Sequence, residues 1–222
     1  MLETRDLDVF IAGTQILRSI SIDLGKGRTI GLIGRNGAGK TTLMRSVMGL
    51  LPVANGTILL DGQDVTKRPA YARAPMGIGY MPEDRRLIPE FTVEENILLP
   101  QDAVHKHIDR KRLDWIYGLI PEIARFADRK ALSLSGGQQK LVAMARALLI
   151  GERFLMLDEP FEGVAPALAQ RLIEVVAALR SEGLTILLSE SDHVHSASLL
   201  DDLYVIERGE IGVGARSVQN LR

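Results

Sequence analysis

Short apolar runs alternate with stretches of helical spacing along most of this chain. Residues 29–33, 154–157 and 185–188 are largely apolar runs of strand length, and residues 19–24 alternate polar with apolar side chains, which predicts a half-buried strand. Residues 168–179 carry a helical stripe of apolar side chains that begins just after a proline. Strands separated by helices of this length predict a parallel sheet that is covered on both faces.

Two other regions depart from this alternation of strand and helix. Residues 57–60 are predicted to form a strand closed by an Asp-Gly turn, so we expect the front portion of the chain to be antiparallel. Residues 84–134 are predicted to form a mostly helical lobe, because residues 92–95 have capping-box spacing and residues 109–120 place apolar side chains on one helical face. The charged run 105–112 fits either a solvated helix face or a contact with a partner.

The composition is that of an ordinary globular protein. The 222 residues, 46% hydrophobic and 25% charged, fit a single domain that we expect to span residues 1–222. The net charge of −1 gives no sign of a nucleic-acid-binding surface, and the absence of cysteine excludes disulfides and thiolate metal sites. Residues 1–8 lack the apolar length of a secretory signal, and the longest apolar runs are too short to span a membrane. We therefore expect any work at a membrane to require docking onto another chain.

A glycine-rich loop follows the predicted strand 29–33 and carries the first candidate chemistry. The loop consists of Gly34, Arg35, Asn36, Gly37, Ala38, Gly39, Lys40 and Thr41, with Thr42 next along the chain. This is the phosphate-loop pattern, in which backbone N–H groups converge on phosphate oxygens and a helix N-terminus adds about half an elementary charge. We expect Lys40 to reach the β- and γ-phosphates of a nucleotide and the Thr41 hydroxyl to bind Mg²⁺.

Two adjacent carboxylates follow the apolar run 154–157. In open α/β sheets, ligands bind at the carboxyl ends of the strands, which is where Asp158 and Glu159 are expected. We predict that Asp158 holds Mg²⁺, directly or through water, and that Glu159 orients and polarises the attacking water. One carboxylate at a strand end is commonly only a solvated terminus, but a pair of them together with a phosphate loop indicates a nucleotide-hydrolysing site.

A third motif narrows the kind of nucleotide enzyme. Leu134, Ser135, Gly136, Gly137 and Gln138 directly precede an apolar stretch of helical length. This sequence resembles the signature of ABC ATPases, and the order of motifs across residues 16–214 matches that family. The resemblance implies an α/β P-loop NTPase core with a mixed sheet, an antiparallel β front portion, and a helical lobe at about residues 84–134 inserted in the RecA-like core.

The signature also makes physical sense as a second anion site. The Ser135 hydroxyl, glycine amides and a helix N-terminus suit a γ-phosphate, yet the chain already has its own phosphate loop. The resemblance accounts for both sites. It implies two subunits arranged head to tail with two ATP molecules and Mg²⁺ between them, so that Ser135, Gly136, Gly137 and Gln138 would serve ATP bound to the partner.

A finer resemblance concerns the transported solute. Residues 158–166 are similar to the stretch found in importers of branched-chain amino acids and of urea, and residues 80–86 followed by 91–96 are similar to the same branch. This implies a cytoplasmic subunit on the inner face of the membrane that drives a pair of integral permeases and, indirectly, a solute-binding protein. No nucleic-acid partner is expected. Whether the partner ATPase is a second copy or a similar sister chain stays open, with the sister favoured.

Two positions near the expected γ-phosphate depart from the family pattern. Glu83 stands where most members have glutamine, and we expect it to face Mg²⁺ or the water. Ser191 stands where the family usually has a histidine that contacts the γ-phosphate; a short hydroxyl could reach that phosphate only through water, so we expect slower hydrolysis carried mainly by Glu159. His193 and His195 lie close by at the wrong offset.

The sequence offers two candidates for the residue that contacts adenine, and it leaves a second function open. The family position falls on Ile11, with Phe10 beside it; we favour Phe10, and an apolar core role for it is the alternative. An ABC-type regulatory or non-transport ATPase with weakened hydrolysis is a second hypothesis, which Ser191 supports and which Glu159 and Lys40 oppose. ABC proteins that act on DNA or ribosomes usually carry long coiled-coil insertions or two cassettes, and this sequence shows neither. A simple P-loop kinase is disfavoured because it would not need the signature at residues 134–138.

Overall fold

The computed structural model describes residues 1–103, 109–192, 194–212 and 216–217. The strands are β1 Leu2–Ile11, β2 Thr14–Leu24, β3 Thr29–Ile33, β4 Asn55–Leu60, β5 Gln63–Asp64, β6 Ile78–Met81, β7 Phe154–Asp158, β8 Thr185–Glu190, β9 Asp202–Glu207, β10 Glu210–Ile211 and β11 Arg216–Ser217. The α-helices are α1 Lys40–Val47, α2 Ala70–Arg73, α3 Val93–Ala103, α4 Arg110–Leu119, α5 Pro121–Ala124, α6 Gly136–Ile150 and α7 Pro166–Ser181. Two short 3₁₀ turns occur at Ala74–Met76 and Ala131–Ser133.

The strands form two sheets. The smaller sheet is antiparallel with the order β2-β1-β4-β5, and the larger has the order β10-β9-β3-β8-β7-β6, with β11 also pairing with β9. Strands β9, β3, β8, β7 and β6 run parallel, whereas β10 and β11 run antiparallel to β9. The predicted α/β class, with a mixed main sheet and an antiparallel front portion, is confirmed.

The two faces of the main sheet pack into different cores. From one face of β7, Phe154 and Met156 join a buried cluster with α1 and the antiparallel sheet. From the other face, Leu155 and Leu157 join a cluster with α6, α7 and the helices of the lobe. Successive side chains of a strand point to opposite faces, so a continuous apolar run is required when both faces are covered.

The segment 84–134 contains α3, α4 and α5, and α3 begins with the capping box that the spacing of residues 92–95 predicts. The amide of Thr92 donates to Glu95 Oε2 at 2.7 Å, and the amide of Glu95 donates to Thr92 Oγ1 at 3.2 Å, which is a complete capping box before α3. Asp109 caps α4 by accepting from the amide of Arg112 at 3.0 Å. These local hydrogen bonds follow from sequence spacing alone.

Of the charged run 105–112, the structure describes residues 109–112, and not all of these are solvent-exposed. Residues 105–108 lie outside the described part of the chain. Arg112 turns inward: its guanidinium donates to the carbonyl of Leu148 at 2.9 Å and lies 4.0 Å from the centre of the Trp115 ring. Arg110 instead forms an exposed ion pair with Glu94 at 2.8 Å. Arg112 therefore ties the lobe to α6 and contributes more than a solvated face.

The first strand, β1, was not predicted from the sequence. Its pairing with β2 shifts register between Thr4 and Leu7 and again before Phe10, and Asp6 adopts a positive φ of 49°. These irregularities break the alternation of polar and apolar residues that marks a strand.

Among the described helices, none combines the length and the apolar character that a membrane crossing requires.

Candidate functional site

The glycine-rich loop lies between β3 and α1, as the phosphate-loop pattern predicts. Gly39 is the N-cap of α1 and has a φ of 114°, a conformation that favours glycine. The amide of Gly34 donates to the carbonyl of Glu190 at 3.1 Å, and a Cβ at Gly34 would collide with the carbonyl oxygen of Ile206. The loop is thus fixed against β8 and β9, and the free amides of the first turn of α1 face its concave side.

Lys40 is the most buried charge in the loop, with 5% of its surface exposed. Its ammonium lies 2.9 Å from Glu159 Oε1 and also donates to the carbonyls of Gly34 and Arg35. Glu159 and these two carbonyls therefore compensate the positive charge of Lys40. An incoming phosphate has to take the place of one of these partners.

The carboxylates at the end of β7 are held in fixed orientations. Asp158 Oδ1 accepts from the hydroxyl of Ser189 at 2.6 Å, and Oδ2 accepts from the hydroxyl of Tyr80 at 3.1 Å. Burial, followed by the charge of Asp158, raises the pKa of Tyr80, so the phenol stays protonated and donates. Glu159 has a φ of 49°, a left-handed conformation that is uncommon outside glycine and is enriched at functional sites.

Ser191 touches the proposed catalytic carboxylate directly. Its amide donates to Glu159 Oε2 at 3.2 Å, and its hydroxyl lies 3.2 Å from Glu159 Oε1 and 2.9 Å from Asn36 Oδ1. The single hydroxyl proton can go to one of these two oxygens at a time. Ser191 therefore orients Glu159 rather than projecting toward a distant phosphate. His195 is exposed and packs beside Phe161, and His193 lies outside the described residues.

Glu83 lines a cavity of about 590 Å³ together with Lys40 and Glu159. The cavity is lined by Ile11, Thr14, Ile16, Asn36, Gly37, Gly39, Lys40, Thr41, Thr42, Glu83 and Glu159. Desolvation raises the pKa of Glu83, and the neighbouring carboxylates of Glu162, Asp158 and Glu159 raise it further. A cation in the cavity would relieve this repulsion between carboxylates.

The donor set fits a nucleotide with Mg²⁺ better than a metal ion alone. Within the described ranges, no three His, Asp or Glu side chains are arranged to hold a metal by themselves. Mg²⁺ is commonly bound by one or two carboxylates, with phosphate oxygens and waters completing the octahedron. Thr41 and Glu83 line the cavity and Asp158 ends β7, so their oxygen atoms fit this pattern beside a loop of backbone amides, with phosphate oxygens and waters left to complete the coordination.

The positions of Phe10 and Ile11 bear on the predicted adenine contact. The cavity is lined by Ile11 and Ile16, while Phe10 is absent from its wall and is 44% exposed. Neighbouring residues of a strand point to opposite faces, so a single position decides which side chain meets the nucleotide. The geometry favours Ile11, the position that matches the family pattern, over Phe10.

The signature residues lie outside this cavity. Ser135 is the N-cap of α6: its hydroxyl accepts from the amide of Gln138 at 3.3 Å, and the Gln138 side chain accepts from the amide of Ser135 at 3.0 Å. Ser135 and Gly136 are exposed, whereas Gly137 packs so closely on Leu168 that a Cβ would lie 2.6 Å from it. The structure therefore leaves the helix N-terminus open to a ligand that the chain's own phosphate loop does not hold.

Several neighbours of the site were missed by the sequence analysis. They are Tyr80 and Ser189, which hold Asp158, together with Lys140 and Glu190, which lie behind Glu159. Burial, followed by the charge of Glu159, raises the pKa of Glu190 to about 8, and its Oε1 has no hydrogen-bond partner among the described residues. Each contact joins residues 19 or more positions apart, so no local sequence pattern could reveal it.

Comparison with known proteins agrees with this geometry. The ABC transporter family matches residues 17–162, which is more than half of the chain. A high-affinity branched-chain amino acid transport ATP-binding protein, BraG of Pseudomonas aeruginosa, is 33% identical over 95% of this chain and 91% of its own. A probable branched-chain amino acid transport ATP-binding protein, LivF of Archaeoglobus fulgidus, is 34% identical over 95% of this chain and 90% of its own.

Two further similarities bear on the fold and on the direction of transport. The lipopolysaccharide export system ATP-binding protein LptB of Escherichia coli K12 is 31% identical over 95% of this chain and 88% of its own. An ATP-binding cassette of an ABC transporter, solved in its ADP conformation, superposes with a TM-score of 0.84 at 29% identity and covers 99% of this chain and 93% of that one. The chain belongs to the ABC transporter family and is one of its ATP-binding, ATP-hydrolysing subunits.

Proposed function

We propose that this chain associates head to tail with a second cassette, which is either another copy or a similar sister chain. The pair hydrolyses ATP bound between the two subunits and powers a membrane importer. The observation that carries this proposal is the separation of two anion-binding features on one chain. The phosphate loop opens into the cavity beside Glu159, while the N-terminus of α6 lies outside that cavity with exposed Ser135 and Gly136. Each ATP would then be held by the phosphate loop of one subunit and by the signature residues 135–138 of the other.

The phosphate loop, Lys40, Glu159 and Ser191 have proposed roles that their positions support. The backbone amides of the loop 34–39 and of the first turn of α1 bind phosphate oxygens, apart from those of Gly34 and Ala38, which donate to the carbonyls of Glu190 and Arg35. Lys40 binds the β- and γ-phosphates. When Lys40 turns to phosphate, Glu159 loses its ion-pair partner at 2.9 Å and becomes free to accept a proton from the attacking water. Ser191 holds the Glu159 carboxylate in place during this exchange.

Mg²⁺ would be held by Thr41, Asp158 and Glu83. The bound ion would neutralise charge on the β- and γ-phosphate oxygens. Tyr80 and Ser189 keep both oxygens of Asp158 oriented through hydrogen bonds, as outer-shell partners do at metal sites. The helical lobe at 84–134, with the adjoining segment around Glu83, is positioned to transmit the state of the γ-phosphate to a permease, since Glu83 lines the cavity and the lobe follows it directly.

The transported solute is proposed to be a branched-chain amino acid or a similar small polar molecule. The similarity to BraG and LivF supports this solute, and the similarity to LptB supports an exporter as the competing possibility. An importer of this kind places the chain on the cytoplasmic face of the membrane, in contact with two permeases and indirectly with a solute-binding protein. The net charge of −1 gives no sign of a surface that attracts nucleic acid, so no nucleic-acid partner is proposed.

The head-to-tail arrangement is tested with a hydrolysis-deficient variant. Glu159→Gln keeps the shape of the side chain but removes the base, so ATP should accumulate at the interface and trap a dimer. Size-exclusion chromatography coupled to light scattering would detect the dimer in the presence of ATP and Mg²⁺. Lys40→Ala in the same background is the control and should abolish both nucleotide binding and dimerisation. A monomer at saturating ATP, mixed with its sister chain where one exists, would contradict the proposal.

The solute is tested separately by uptake. Cells that lack this chain should lose high-affinity uptake of radiolabelled leucine, and the wild-type chain, but not Glu159→Gln, should restore it. Unchanged leucine uptake combined with a defect in the outer-membrane lipid would favour the exporter.

A subunit with weakened hydrolysis is the second candidate, and Ser191 favours it. The hydroxyl reaches Glu159 but adds no positive charge toward a γ-phosphate. We expect Ser191→His to raise the steady-state ATPase rate. A rate that is unchanged or lower in this variant would show that Ser191 does not limit turnover.

A further inference from the structure

A buried lysine of α6, the signature helix that begins with residues 136–138, forms hydrogen bonds with the loop that carries Glu159. Lys140 lies in the second turn of α6, just after residues 135–138, and only 5% of its surface is exposed. Its ammonium donates to the carbonyl of Glu159 at 2.9 Å and also to the carbonyl of Glu162. Two carbonyls on either side of one short turn are thereby drawn to a single point on α6.

Burying the charged ammonium of Lys140 costs free energy unless hydrogen-bond acceptors compensate it. Desolvation lowers the pKa of Lys140, while the negative charges of Glu190, Glu162 and Glu159 favour its charged form. A buried ammonium needs hydrogen-bond acceptors, and here the backbone of residues 159–162 supplies two of them. An apolar side chain of the same length would fill the space but would leave both carbonyls without this donor.

The backbone held in this way is already constrained. Glu159 has a φ of 49°, and its amide is fixed by Ser189, which accepts from it at 3.1 Å. The amide of Phe161 lies beside the carboxyl of Glu190 and lowers its pKa against the effect of burial. Residues 159–162 are therefore contacted from β8 on one side and from α6 on the other, and Lys140 is the charged residue of α6 that hydrogen-bonds to them among the described residues.

We propose that Lys140 is a positioning residue that couples the two ATP sites through this chain. The N-terminus of α6 would bind the γ-phosphate held by the partner subunit, and Lys140 would transmit the resulting position of α6 to the carbonyls of Glu159 and Glu162. Capture of one ATP thereby sets the geometry of Glu159 at the other ATP. This inference rests on the proposed head-to-tail function, and it assigns the coupling to a single side chain.

The test uses the full chain with Lys140→Met, Lys140→Arg and the control Lys111→Met, which removes an exposed lysine from α4. A displacement of Glu159 by less than about 1 Å can cost up to ~100-fold in rate. We expect Lys140→Met to lower kcat at least about tenfold with KM for ATP changed less than about threefold, and to bring the Hill coefficient for ATP to about 1. Lys140→Arg should recover a large part of kcat, and Lys111→Met should match the wild type.

Dimerisation provides a readout that is independent of hydrolysis. In the Glu159→Gln background, Lys140→Met should still form the ATP-dependent dimer at ATP concentrations within about threefold of those for Glu159→Gln alone, because the residues that bind phosphate are intact. Loss of this dimer would show that Lys140 merely supports the fold of the signature helix and would overturn the inference.

Two kinetic outcomes would also overturn it. One is a wild-type kcat and Hill coefficient in Lys140→Met, and the other is a fall of kcat in Lys140→Arg as deep as that in Lys140→Met. If Lys140→Met fails to fold, Lys140→Gln, which keeps one donor group, is measured against the same criteria. Failure of the proposed function looks different, because Glu159→Gln alone would then form no dimer with ATP.

Discussion

At the scale of single residues, the site depends on charges that are buried and compensated by protein groups. Lys40 and Glu159 neutralise each other at 2.9 Å, and Lys140 relies on backbone carbonyls. Glu190 differs from both, because its Oε1 has no hydrogen-bond partner in the described part of the chain. A buried carboxyl that is compensated only in part, here by the amide of Phe161 and the charge of Lys140, favours its neutral form.

This property of Glu190 predicts a pH-dependent stability. Its pKa is raised from 4.5 in the unfolded chain to about 8 by burial and by Glu159 and Asp192, with Lys140 opposing them. A carboxyl with a raised pKa contributes stability that is complete below the unfolded pKa and is lost as the pH rises through the folded pKa. Between pH 5 and pH 8 the wild type should therefore lose stability relative to Glu190→Gln.

Thermal unfolding of both proteins at several pH values measures this difference. Relative to Glu190→Gln, we expect the melting temperature of the wild type to fall by about 5 °C between pH 5 and pH 8 and to level off above that pH. Because the glutamine variant shares all other titrating groups, it is the control. A constant difference across this range would show that Glu190 ionises near its ordinary pKa in the folded protein.

At the scale of single elements, helices α3 and α6 both begin with a capping box. Thr92 with Glu95 caps α3, and Ser135 with Gln138 caps α6. The two capping boxes have the same chemistry, but only the second belongs to the proposed γ-phosphate site. They therefore form a matched pair in which the effect of a cap on stability can be separated from its effect on binding.

Thr92→Ala and Ser135→Ala should each destabilise the fold by about 1 kcal/mol, because each removes one N-cap hydrogen bond. Only Ser135→Ala should also weaken ATP-dependent dimerisation in the Glu159→Gln background, since its hydroxyl would contact phosphate. Thermal unfolding and light scattering measure the two effects. Equal loss of dimer in both variants would argue that Ser135 acts only as a helix cap.

At the scale of the whole molecule, the helical lobe shares its core with the main sheet. Ile116 of α4 is fully buried in the same cluster as Leu155 of β7 and Leu188 of β8. The lobe therefore has no separate hydrophobic core of its own among the described residues. This supports the proposal that residues 1–222 form a single folding unit with the lobe at about residues 84–134.

A shared core predicts cooperative unfolding. Ile116→Ala should destabilise the protein by about 3 kcal/mol through the lost burial and the resulting cavity, and it should do so in one transition. The control is Leu132→Ala, because Leu132 is 61% exposed and its loss should have little effect. Calorimetry distinguishes the outcomes, and a separate low-temperature transition in Ile116→Ala would show that the lobe unfolds independently.

The sequence by itself determined the features that depend on local spacing. The phosphate loop between β3 and α1, the carboxylates after β7, and both capping boxes involve residues within a few positions of one another, so their geometry follows from backbone rules. Continuous apolar runs likewise predicted the buried parallel strands. The family resemblance, which depends on the order of these motifs, was recoverable for the same reason.

Only the tertiary structure decided which distant groups meet around these motifs. It placed Ile11 rather than Phe10 in the cavity, set Tyr80 and Ser189 against Asp158, and brought Lys140 to the loop after Glu159. These contacts depend on strand order and on how α6 packs against the sheet. The pairing energy of such contacts is expressed only once the chain is compact, so no periodicity in the sequence encodes them.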